Sequence, residues 1–235
     1  MDMTETRRWR FKGPEMEGPI ARWYARVRGS KSQLDLYRKQ AFALTVGLPE
    51  GARVLEVAPG PGYLAIEMAR PGRFQVAGLD ISRTFVEIAT ENARRAGVTV
   101  EFRQGDAAHM PFQSESFDLV VCQAAFKNFT LPRSALAEMH RVLRPRGTAV
   151  IQDMSRDATH ADIDHEVDGM QLGRFSAFTT RATLEMLKRR AYAPAQFERL
   201  AAASPFGTCE IRTEGIGLEV RLKKLKNQSN KGEPE

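Results

Sequence analysis

Val54-Leu55-Glu56-Val57-Ala58-Pro59-Gly60-Pro61-Gly62 is the stretch whose reading decides the fold. An apolar, β-branched run predicts a buried strand. It halts in small residues, where Gly60 and Gly62 give the backbone freedom to approach a ligand closely. Tyr63 to Ala69 then carries helix formers at apolar helical spacing, so the unit reads strand, tight loop, helix. No Gly-Lys-Ser/Thr ending follows, which excludes a phosphate-cradling P-loop. The slot of the first glycine of a dinucleotide fingerprint holds Ala58. An ordinary turn with two glycines is the bland alternative at this point.

Working outward, Val76-Ala77-Gly78-Leu79-Asp80 is a second apolar run ending in a carboxylate, where α/β nucleotide folds place the acid that binds ribose hydroxyls. Thr99 to Gln104 reads as a third strand, followed by Gly105-Asp106-Ala107. Phe117 to Gln123 reads as a fourth, and after a helix Arg144-Pro145-Arg146-Gly147 leads into a fifth at Thr148 to Gln152. With VLEVAPGPG, GLDIS, GDAAHMPF, SFDLVV and ALAEMHRVLRPRG in register over about residues 50 to 153, the chain resembles the class I S-adenosylmethionine-dependent methyltransferases. Within them it is similar to the group that includes the ubiquinone and menaquinone C-methyltransferases.

The resemblance implies an α/β, Rossmann-like, mostly parallel seven-stranded sheet with an antiparallel last strand and helices on both faces. It implies S-adenosyl-L-methionine as cofactor and S-adenosyl-L-homocysteine as product. Glu56 and the backbone at Ala58, Gly60 and Gly62 would hold the methionine half, with Tyr37 in reach of its carboxylate. Asp80 would accept from the ribose hydroxyls, Ile81 would lie on adenine, Asp106 and the Ala107 N–H would meet the adenine edge, and Gln123 and Phe126 would face the methyl group. Two departures stand out: Ala58 replaces the family's first loop glycine, and Pro145-Arg146-Gly147 replaces its Pro-Gly-Gly.

Methyl transfer from a sulfonium needs alignment and exclusion of water more than a strong acid or base. Where the acceptor must lose a proton, His160, His165, Lys127 and Tyr24 are the candidate bases. The expected acceptor is a small organic molecule methylated at oxygen, nitrogen or carbon. Two rivals are an RNA methyltransferase and a binding module that keeps the cofactor fold without turnover. Cys122-Gln123-Ala124-Ala125, where Asn/Asp-Pro-Pro-Tyr would stand, argues against methylation of an exocyclic base amine.

The 235 residues suffice for one α/β domain, and no run approaches the roughly 18 apolar residues of a membrane span. The basic start, Arg7 to Lys12, lacks the apolar core of a secretory signal, so a cytoplasmic location is expected. Cys122 and Cys209 are too few for a disulfide scaffold. The formal charge of +6 sits mostly in residues 1–13 (four basic, two acidic) and 221–235 (five basic, two acidic). The body between them shows no basic face with interleaved aromatics, which disfavours nucleic acid; a homodimer stays open.

Residues 1–13 read as a flexible basic segment, 14–225 as a single domain and 226–235 as a disordered tail. Within the domain we expect N-terminal helices over 14–48, a cofactor-binding core over 50–153, a substrate-covering region over 154–203 and a closing hairpin over 206–225. Ile20, Trp23, Tyr24 and Val27 stripe the first helix, either docked on the core or lying over the cofactor; Ser32 is expected to cap the second. Ser155 to Thr180 is a polar stretch with His160, Asp162, Asp164, His165, Glu166 and Asp168, whose spacing suits no single helical face. A solvated lid is preferred there over a divalent-metal site, and helices follow over Arg181 to Arg190 and Pro194 to Ala203.

Overall fold

The computed structural model describes residues 16–226; the expectations for 1–13 and for 227–235 lie outside them. Seven strands form one sheet in the order β3-β2-β1-β4-β5-β7-β6. They are β1 (Arg53–Val57), β2 (Gln75–Asp80), β3 (Val100–Gln104), β4 (Phe117–Gln123), β5 (Leu143–Met154), β6 (Glu210–Glu214) and β7 (Gly217–Lys223). The first five run parallel, with Val54 beside Val76 on one side and Leu119 on the other. β7 pairs antiparallel with β5 and with β6, the expected hairpin.

Side-chain alternation sorts the sheet's two faces. Leu55, Val57, Val120 and Ile151 pack with α5 (Pro132–Val142) and α8 (Pro194–Ala202). Val54, Val76, Leu119 and Val121 pack with α2 (Lys31–Thr45) and α3 (Tyr63–Ala69). A strand covered on both faces must be apolar throughout, and Glu56, 3% exposed in the middle of such a strand, is the exception.

Local chemistry sets the element ends. Ser82 caps α4 (Arg83–Ala96) by accepting from Phe85 N at 3.0 Å, and Gly97 closes it in the left-handed region, both as the residues predict. The N-cap of α2 is Ser30, without a side-chain bond, and not Ser32, which sits inside the first turn. Leu143 ends α5 and opens β5, because its backbone has already turned to the extended region.

α1 (Gly18–Arg28) is stitched down at both ends. Glu17 accepts from Arg83 N and Thr84 N at the start of α4, and Tyr63 Oη donates to Ala25 O at 2.9 Å. Ala21 and Ala25 are buried, while Ile20, Trp23 and Val27 stay half exposed. α1 is therefore docked by one face, while Ile20, Trp23 and Val27 on the other line a cavity.

The polar stretch is helical where a lid was expected. α6 (His160–Gly169) starts in a capping box in which Asp162 and Thr159 satisfy each other's backbone N–H. The alternating acids differ in their surroundings, only Asp164 and Asp168 sharing one partner, Arg181. Asp162 caps the helix, Asp164 pairs with Arg181, and Glu166 faces a cavity. α7 (Arg174–Lys188) begins seven residues before the expected Arg181. Among the described residues no helix is long and apolar enough to cross a membrane.

Both departures from the family's glycines carry left-handed backbone, Ala58 at φ 58° and Arg146 at φ 71°. That conformation costs a non-glycine residue about 1–2 kcal/mol, part of which glycine returns through its freer unfolded chain. We expect Arg146→Gly, at an exposed irregularity near the start of β5, to raise the melting temperature by about 2–4 °C, a gain of up to about 1 kcal/mol. Calorimetric melting checks this, and an unchanged or lower midpoint would show that the irregularity stores no strain.

Candidate active site

A cavity of about 2190 Å³ opens at the carboxyl ends of β1, β2, β4 and β5, where open α/β sheets bind ligands. It exceeds the few hundred to 1,000 Å³ typical of one small ligand, so there is room for two reactants side by side. One end is built by the β1–α3 loop, the end of β2 and α1. The other is walled by the chain after β4, by α6 and α7, and by the β6–β7 hairpin.

At the first end, Ala58 N donates to Leu79 O at 2.7 Å and Gly60 N to Asp80 Oδ2 at 2.9 Å, so the loop is held to β2. Asp80 Oδ1 accepts from Ser82 N at 2.9 Å. Burial lifts the Asp80 carboxyl to about 6 despite those donors. Its oxygens keep further lone pairs toward the cavity.

Glu56 is more extreme. Burial pushes its carboxyl up to about 8, with the negative charge of Asp80 adding to the rise. Its Oε2 is buried without a hydrogen-bond partner and the residue lines the cavity. An unpartnered buried acceptor costs about 1–3 kcal/mol, and a cationic donor placed in the cavity would relieve it.

Of the residues singled out in the sequence, Ala58, Gly60, Ile81, Asp106, Ala107, Tyr37, Tyr24 and Gln123 line the cavity. Two expected residues do not. Gly62 stands behind the wall as the N-cap of α3, at φ 80°, and a Cβ there would meet Phe102 Cζ at 2.7 Å and Ala89 Cβ at 2.8 Å. Its lack of a side chain lets helix and sheet close up. Phe126 is fully buried between Phe129, Tyr192 and Phe197. Phe129, half-buried, takes the cavity position instead.

The candidate bases also sort. Lys127, 6% exposed, is tied by its ammonium to Asp153 Oδ1 at 2.7 Å and Ala124 O at 2.5 Å, so it holds no free lone pair for a proton. His160 pairs with Glu185 outside the cavity. His165, on α6, does line it, as does Tyr24, whose ring meets Phe85 edge-on at 5.9 Å.

Three contributors were not expected from the sequence. Arg28 donates from Nε to Tyr37 Oη at 2.9 Å with its guanidinium 5.4 Å from that ring. It lies one turn after Tyr24 on the same stripe, a spacing that would have exposed it. Gln152 and Glu219 extend a chain from Gln123, with Gln123 Nε2 to Gln152 Oε1 at 3.3 Å and Gln152 Nε2 to Glu219 Oε2 at 2.8 Å. Gln152 lies near the end of β5 beside Gln123 at the end of β4, which is the position where strand-end residues meet ligands.

Residues 55–151 match the family described as a methyltransferase domain. A demethylmenaquinone methyltransferase of Deinococcus radiodurans is 36% identical over 108 residues, 46% of this chain and 45% of that protein. The chain thus spans less than half the length of the curated relative it matches. Among solved structures, a SAM-dependent methyltransferase from Aquifex aeolicus superposes with a TM-score of 0.65 at 17% identity, covering 86% of this chain and 98% of that one. A putative S-adenosyl-L-methionine-dependent methyltransferase from Methanococcus maripaludis gives 0.68 at 18%, covering 90% and 94%. Residues 55–151 thus match a methyltransferase-domain family, and the chain has the fold of the solved S-adenosylmethionine-dependent methyltransferases it is similar to.

Proposed function

We propose that this chain, read as one domain over residues 14–225, is an S-adenosylmethionine-dependent methyltransferase acting on oxygen, nitrogen or carbon of a small organic acceptor. The observation that carries the reading is the unpartnered Glu56 Oε2 beside Asp80 in a cavity with room for two reactants. The cofactor suits this donor set: its ammonium answers the Glu56 carboxylate, its carboxylate the Arg28 guanidinium, and its ribose hydroxyls the free lone pairs of Asp80. Ile81, Asp106 and Ala107 line the part of the wall left for adenine.

When bound, the cofactor supplies an electrophilic methyl whose C–S bond breaks as the acceptor's electron pair forms the new bond. This chain's residues align and shield that event. Asp153 accepts from both Lys127 N and Lys127 Nζ, which pins the chain after β4 to β5 and fixes where Gln123 and Phe129 stand. Ile20, Trp23 and Val27 of α1 cover the opening and exclude water. His165 and Tyr24 are the cavity groups placed to take a proton where the acceptor must lose one. The reading keeps a cytoplasmic setting, and it leaves nucleic acid aside because Met154, Leu184, Leu187 and Ile216 give the acceptor end an apolar part beside the acids Glu166, Glu214 and Glu219.

Calorimetric titration with S-adenosylhomocysteine tests it. Wild type is expected to bind one equivalent, and Asp80→Ala to bind at least tenfold more weakly, about 1.4 kcal/mol. Absence of binding by a wild-type protein with a normal melting transition would sink the proposal.

A further inference from the structure

Behind the acceptor end lies a second, smaller cavity of about 390 Å³, lined by Lys127, Arg156, Arg189, Arg190, Tyr192 and Gln196. Lys127 and Arg190 also line the large cavity, so the two adjoin. Its charge is one-sided. Among the described residues no carboxylate lines it, and Lys127 is already neutralised by Asp153. The side chains of Arg156, Arg189 and Arg190 make no ion pair or hydrogen bond with any described residue, as is also true of other exposed arginines such as Arg133 and Arg199, so what sets these three apart is their grouping on one depression.

The helix dipole does not account for this convergence. A cation near the carboxyl end of α7 gains about 0.3–1 kcal/mol, which rationalises Arg189 and Arg190. Arg156 comes from the chain after β5, and is brought in by backbone pairing, with Arg156 N donating to Tyr192 O at 3.1 Å and Ser155 bridging Tyr192. Three exposed arginines from two chain segments line one depression together with Tyr192 and Gln196, a set of residues whose chemistry suits multidentate recognition of an oxyanion.

We propose that this pocket binds a carboxylate or phosphate group belonging to the acceptor, so that the acceptor is a small organic acid whose anionic end sits at Arg156, Arg189 and Arg190. That the anion is part of a methyl acceptor rests on the methyltransferase reading; the anion site itself stands on the arginines alone.

The test uses the full chain, titrated at constant ionic strength in chloride with inorganic phosphate, and, loaded with S-adenosylhomocysteine, with benzoate and benzamide as a charged and a neutral probe. Saturable phosphate binding is expected, weakened at least tenfold in Arg156→Ala/Arg189→Ala, while S-adenosylhomocysteine binds the variant as it does wild type. Benzoate should bind at least tenfold more tightly than benzamide, and phosphate should displace it. No saturable phosphate binding, or binding the double variant retains, overturns the anion site. Phosphate binding with no preference for benzoate overturns the assignment to the acceptor and leaves a site for free phosphate. Failure of S-adenosylhomocysteine to bind wild type strikes the cofactor reading and leaves the phosphate result legible.

Discussion

Glu56→Gln is expected to make the protein more stable and nearly unable to bind S-adenosylhomocysteine. The Glu56 carboxyl titrates near 8 in the fold against an ordinary value of 4.5, because burial penalises its charged form. An acid with a raised folded value favours the folded state while protonated. That contribution is complete below about 4.5 and is lost as pH climbs through about 8. At pH 8.5 the side chain is a buried charge with a backbone hydrogen bond at Ala65 but an unpartnered Oε2, at a cost on the order of a few kcal/mol, since each unit is worth about 1.4 kcal/mol. Glutamine keeps the shape and removes the charge, against the smaller cost of an unsatisfied amide. Denaturant unfolding should show a gain of roughly 2–4 kcal/mol at pH 8.5 and little at pH 4.5. In the same variant the cofactor's ammonium loses a charge-assisted bond, and binding should weaken roughly a hundredfold, about 2.7 kcal/mol. Equal stability at both pH values would show that the carboxylate finds a partner in the free protein.

Lys127→Ala is expected to be the most damaging single change, with a loss of about 3–5 kcal/mol by denaturant unfolding. Its partner Asp153 has a side chain only 3% exposed, so the substitution strands a charge in the interior. The converse follows from the same physics. Replacing both partners, Lys127→Met with Asp153→Asn, removes the uncompensated charge and should cost clearly less than the sum of the two single changes. Additive effects in that double-mutant cycle would mean the pair is not coupled. Because Asp153 also accepts from Lys127 N at 3.1 Å, and an asparagine amide oxygen can still accept there, the double variant loses the ammonium contacts while keeping a backbone tie for the chain after β4.

Much of the sheet was legible because the strands are covered on both faces and so leave continuous apolar runs, and because Ser82, Gly97 and Pro132 punctuate the helices by their own chemistry. Polar residues in or at the end of those runs, Glu56, Asp80 and Gln123, were legible for the same reason: a polar residue near the close of an apolar run has few destinations. Phe126 was misplaced because the sequence after β4 does not say which aromatic turns inward; a single 3-10 turn over Phe126–Asn128 buries it and presents Phe129. Lys127 looked like a free base because its partner lies 26 residues away on β5, a pairing no local pattern encodes. The arginine pocket was invisible for a similar reason, since Arg156 meets Arg189 and Arg190 only through the bridge at Tyr192.

The place of β7 between β5 and β6 bears on synthesis at the ribosome. Until residues 217–223 emerge, β5 has an unpaired edge running from Thr148 to Met154, and β6 has no neighbour at all. Val220 and Leu222, fully buried in the finished sheet, close the core over Ile151 only then, and Lys224 locks the seam by donating to Leu143 O at 2.8 Å. A nascent chain stalled before Gly217 thus presents a long apolar edge to its neighbours, the kind of surface that recruits chaperones or pairs with another stalled copy. Closure of this sheet waits on the β6–β7 hairpin, even though every residue of the candidate cofactor end precedes it in the chain.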